Sequence, residues 1–169
     1  MKRIFIFLAA ATIASPLWSK SINESIALEV ANQVLLHSSA TLRSGDDTQQ
    51  KSLQLLYTSS SSNIDNENVD AALRSASANE TVYFYVFGGE NNEGFVIVSG
   101  DDRVVPVLGY SDTNGFSADD MPDNLKWWLG EYARQIQFAI DNDIAPTQEV
   151  QQQWTQYLGN NNDRKEEQK

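Results

Sequence analysis

The chain of 169 residues contains no cysteine and a single histidine, His37. The first absence removes thiol nucleophiles, thiolate metal sites, disulfide staples and a lipid-bearing N-terminal cysteine together. Basic residues are scarce as well: 12 Lys and Arg stand against 23 Asp and Glu, for a net charge of -11. Phosphate binding needs a basic face, so the charge argues against nucleic acid as a partner and favours solubility. Long apolar runs are missing except for Ile4 to Ala14, which follows Met1, Lys2 and Arg3. That run has roughly half of the ~20 residues a membrane helix requires, and it leads into Pro16, Leu17, Trp18 and Ser19, so it reads as an export leader cleaved after Ser19. The expected product starts near Lys20 and has no membrane tether. It is expected to be a monomer when free, located in the periplasm or outside a bacterial cell. About 150 residues then remain, enough for one core held by burial and backbone pairing alone.

Periodicity divides the rest. Ile26, Val30 and Val34, flanked by Ala27, Ala31 and Leu35, recur at helical spacing from Glu24 to Leu42, with Asn23 as the N-cap. Leu53, Leu55 and Tyr57 alternate along a short strand. Ser59 to Asp70 is a polar connection with at most a weak helical turn at Val69 to Leu73. Thr81 to Phe87 and Phe95 to Ser99 are β-branched and aromatic around a glycine-containing hairpin loop, and Val104 to Tyr110 is a third strand of this meander, with Pro106 pointing to an edge or a bulge there. Gly100 to Arg103 reads as a turn. A second helix carries Leu125, Trp128, Leu129, Tyr132 and Ile136 on one face, with Pro122 in the first turn and an end near Asp141 to Asp143. Val150, Trp154 and Leu158 mark a last short helix, Gln148 to Leu158, followed by a polar tail. The order predicts an α+β fold: an antiparallel sheet of about four strands with two helices on one face. Leu53, Leu55, Val82, Phe84, Val86, Val96 and Val98 are the expected strand contribution to the core.

Chemistry has little to work with. His37 has no serine or acid at a motif spacing, and no Gly-x-Ser-x-Gly elbow, phosphate loop or His-Glu-x-x-His pair occurs. The Asp112 to Asp123 run fails the calcium-loop pattern, with Phe116 and Ser117 where a ligand and the glycine belong. No catalytic residue, metal or cofactor is expected, and the chain is expected not to be an enzyme. Among the aromatics, Trp127 and Trp128 point about 100° apart on their helix. Trp127 is either a protein-contact anchor or simply half-buried.

Gly94-Phe95-Val96-Ile97-Val98-Ser99-Gly100-Asp101-Asp102-Arg103, followed by Pro106, Leu108-Gly109-Tyr110-Ser111 and Gly115-Phe116, resembles the propeptide of streptopain-type cysteine proteases. The same domain also occurs as a free-standing inhibitor of those enzymes. The resemblance runs from about Glu24 to Leu158 and implies a streptopain-type cysteine protease as partner. The organisation implied is a leader at 1–19, a propeptide-like inhibitor domain at 20–142, and a short helix with a disordered tail at 143–169. The catalytic cysteine and histidine of a protease precursor are absent, so the expectation is a separately encoded inhibitor. In the family an asparagine at the start of the long helix displaces the catalytic histidine. By motif it corresponds to Asn124, within Met121-Pro122-Asp123-Asn124-Leu125, with Trp127 one turn on. Read from the residues alone, Asn124 is an ordinary first-turn position. Two other functions remain compatible: a folding helper acting in trans and an envelope-binding module.

Overall fold

The computed structural model describes residues 20–42, 52–62, 80–89 and 94–166, without the side chains of 36–42 and 160–166. The expected leader, the Asn63 to Asp70 stretch and the turn at Val69 to Leu73 lie outside the described residues. The elements run α1 (Glu24–Leu42), β1 (Leu53–Ser60), β2 (Val82–Gly89), β3 (Phe95–Ser99), β4 (Val107–Ser111), α2 (Asp123–Asp141) and α3 (Gln148–Glu166). The strands form one antiparallel sheet in the order β1-β2-β3-β4. The α+β class with a four-stranded antiparallel sheet is therefore as the periodicity predicts.

The layering differs from expectation. Tyr85, Phe87, Val96 and Val98 pack with Ala27, Val30, Ala31 and Val34 of α1 and with Trp154 of α3. Phe84, Val86, Ile97 and Leu108 pack instead with Leu129, Ala133 and Ile136 of α2. Alternate residues of a strand point to opposite faces, so α1 and α2 cover opposite sides of the sheet and do not share one. The physical reason lies in β2 and β3, which are apolar at successive positions and need cover on both faces. Of the expected strand core, Leu53, Val82, Val96 and Val98 belong to the α1 side and Phe84 and Val86 to the α2 side.

Three register shifts set which side chains reach which layer. One residue is extra in β1 between Leu55 and Tyr57, and one in β2, where Ser59 pairs with Phe84 but Ser60 with Val82. A bulge breaks the alternation locally, which explains why the neighbours Leu56 and Tyr57 both face α2, and why Tyr83 does so beside Phe84. Leu55, expected in the core, is instead 38% exposed on the rim. The third shift, between Ile97 and Val98, leaves Leu108 as the extra residue of β4. Pro106 sits just before that strand, and its carbonyl accepts the Ser99 N–H at 3.0 Å.

Local signals hold the helix ends. Asn23 Oδ1 accepts the Ile26 N–H at 3.0 Å, an N-cap for α1. Asn23→Ala should therefore lower stability by about 1 kcal/mol, read from the midpoint of a urea titration; no change would mean the cap is idle. At the far end of α2, Asp143 takes φ 46°, a left-handed conformation that Asp tolerates better than most residues. Gly94 closes the β2–β3 hairpin at φ 80°, where any L side chain would be strained.

The last helix is longer than its pattern. It continues to Glu166, and Trp154 is buried among α1 and sheet side chains. A boundary at residue 142 would thus cut through the core.

Candidate functional site

α2 presents two different sides. Toward the sheet it buries Leu129, Ala133, Ile136 and Ala139. Its start is open: Pro122 occupies the N-cap with no side-chain cap, and its carbonyl accepts the N–H groups of Leu125 and Lys126 at 2.9 and 3.0 Å. Asp123 and Asn124 are exposed, and Asp123 lies 3.8 Å from the Lys126 ammonium, an ion pair in water. Among the described residues the Asn124 amide has no hydrogen-bonded partner, so its donors and acceptor remain available to another molecule. Of the sequence-nominated residues, Pro122, Asp123, Asn124 and Trp127 face solvent. Met121 and Leu125 do not join them in full, because both lean on the α2-side core.

Of the two adjacent tryptophans, Trp128 is the more covered, at 36% exposed. Trp128 lies over β4 at Gly109, where a Cβ would meet the ring edge at 3.3 Å, and it meets Tyr132 edge-on with ring centroids 4.5 Å apart. Trp127 is 66% exposed. Phe138, which the sequence reading did not single out, is 62% exposed. Eleven residues along a helix is about 20° past three full turns, so the two rings project from one side of α2, about 16 Å apart along its axis. Glu131 and Arg134 form an ion pair between them. The i, i+11 spacing of two large apolar groups within a polar stripe was the available signal for Phe138.

The other polar concentration is structural. Asp101 and Asp102, expected as turn residues, are both buried. Asp101 accepts from the Arg103 backbone N–H at 2.9 Å and holds the Arg103 guanidinium through both carboxylate oxygens, at 3.1 and 2.9 Å. Arg103 also reaches Asp143 Oδ1 at 3.2 Å, tying this corner to the end of α2. A neighbouring cleft of about 440 Å³ is lined by Ser21, Glu80, Thr81, Tyr85 and Arg103 among others, with no histidine in its described lining. Burial pushes the Tyr85 phenol above its ordinary value, with the Glu24 charge adding to it, and its hydroxyl donates to the Ile22 carbonyl at 3.0 Å. Among the described residues no group of three or more His, Asp or Glu side chains is gathered to hold a metal. No described helix is long and apolar enough to cross a membrane. His37 lies within α1, its side chain outside the described residues.

The described residues form an α+β domain whose second helix starts in the open. Residues 19–136 match the Spi protease inhibitor family, and the chain belongs to that family. Over 77 residues, 46% of this chain, it is 35% identical to the thiol protease/hemagglutinin PrtT of Porphyromonas gingivalis. The match spans only 9% of that relative's length. No solved structure gives a significant match.

Proposed function

We propose that this protein inhibits a streptopain-type cysteine protease by placing the start of α2 in the enzyme's active-site cleft, where Asn124 displaces the catalytic histidine. A cysteine thiolate needs its imidazole at hydrogen-bond distance, so an amide wedged beside the imidazole disables the pair without modifying it. The observation that carries this reading is the solvent-facing turn at Asn124 and Trp127, a polar wedge next to a large uncovered ring on a helix packed on its other side. A secreted or periplasmic location follows from the leader and meets such an enzyme where it acts.

The test is an inhibition titration against a streptopain-type enzyme with Asn124→Ala. The variant should inhibit at least several-fold less tightly while its melting temperature stays put, because an exposed first-turn residue without partners contributes little to stability. Undiminished inhibition would remove the wedge and move the binding surface elsewhere.

A further inference from the structure

The first described residues form a short extra strand. Ser21 bridges antiparallel to Asp101, the Ile22 N–H donates to the Gly100 carbonyl at 2.8 Å, and the Asp102 N–H donates to the Lys20 carbonyl at 3.2 Å. Ile22 enters the α1-side core and its carbonyl receives the Tyr85 hydroxyl. Beside this bridge the Lys20 N–H donates to Asp102 Oδ1 at 2.8 Å.

Asp102 is 3% exposed. Its neighbour Arg103 directs its guanidinium to Asp101 and Asp143, and among the described residues no side-chain cation forms an ion pair with Asp102. A carboxylate buried in that way is costly unless a cation faces it. Burial accordingly pushes its carboxyl above the ordinary carboxylate value, the Lys20 N–H opposing that; the Asp101 charge adds to the rise and Arg103 offsets it.

We propose that the Ser19–Lys20 peptide bond is a processing site and that the α-ammonium it releases on Lys20 is the missing cation, held by Asp102. Hydrolysis by a signal peptidase breaks the Ser19 carbonyl–Lys20 nitrogen bond. Water's hydroxyl goes to the Ser19 carbonyl, and the Lys20 nitrogen gains protons to become an ammonium at neutral pH. An amide donor 2.8 Å from a buried carboxylate is thereby replaced by a full positive charge on the same atom. Processing then fastens the N-terminal strand to the Gly100 to Asp102 corner and, through Ile22, to the core under α1. The family match begins at residue 19, one residue before the proposed start. This inference depends on the leader and not on the protease-inhibitor reading.

Three measurements decide it. N-terminal sequencing of the exported protein should return Lys20 as the first residue; any other start overturns the site. Proteins starting at Lys20 or carrying a short Gly-Ser extension before it are then compared, each with and without Asp102→Asn. The extension keeps the N–H but loses the charge. Asp102→Asn should lower the melting temperature of the Lys20-start protein by roughly 4–8 °C and that of the extended one by clearly less. Equal losses in both overturn the ion pair. Should Asp102→Asn fail to fold, the NMR titration of the parent's α-amino group decides: it should lie above the ordinary range of about 7.7–8.0, and an ordinary value overturns the proposal. The sign is fixed by that shift. A folded-state α-amino value raised above the unfolded one gives stability fully present below about pH 7.7 and lost as pH rises through the folded value, in the Lys20-start protein alone.

Discussion

Replacing Trp154 with alanine is expected to lower unfolding free energy by about 3–5 kcal/mol. The side chain is only 1% exposed and lies between α1 and the sheet, so its removal loses transfer energy and leaves a cavity that the surrounding β-branched residues fill poorly. Its indole N–H also donates to the Val104 carbonyl at 2.8 Å, an acceptor the alanine variant leaves without that donor. A domain of this size has roughly 5–15 kcal/mol in total, so the variant gives up a large share of its stability. Trp154→Phe keeps most of the ring volume and loses the N–H, and should cost clearly less. Both are read from urea midpoints at equal slope. A loss below about 1 kcal/mol for the alanine variant would mean that α3 is an appendage, contrary to the packing described. The same reasoning predicts that a chain ending at residue 142 does not fold stably, whatever the integrity of its sheet.

Trp127→Ala should have the largest effect on inhibition, weakening it by at least about 2 kcal/mol, roughly 30-fold, if that ring is the anchor of the interface. The melting temperature should hardly move, because the ring already stands in water in the free protein. Trp128→Ala is the contrasting control. That ring covers Gly109 and packs on Tyr132, so its loss should appear in stability. Phe138→Ala locates the far edge of the footprint. Weakened inhibition there would extend the contact along the exposed side of α2, and no effect would confine it to the first turns. Trp127 fluorescence should shift to the blue when the protease binds, as water leaves the ring. If Trp127→Ala inhibits like the parent, the exposed side of α2 is not the binding surface.

The sequence alone determined the order and type of the elements, because period-two and period-3.6 patterns depend only on neighbours along the chain. Ile26, Val30 and Val34 specified α1, the runs at Val82 and Phe95 specified the central strands, and Leu125, Leu129 and Ile136 specified α2. The motif Phe95 to Arg103 was specific enough to indicate the family before any geometry was known. It could not fix the layering, since apolar residues at successive positions of β2 and β3 read alike whichever helix covers them. Nor could it place the bulges at Leu56 and Tyr83, because one extra residue in a pairing depends on the partner strand and not on local preference. Asp101 and Asp102 have the composition of a solvent turn; only the approach of Lys20 and Asp143 from distant parts of the chain, with Arg103 between Asp101 and Asp143, made them buried, hydrogen-bonded groups. Trp127 and Trp128 are one residue apart in an otherwise uniform helix, and the β4 surface at Gly109 decided which of them it would cover and which it would leave in water.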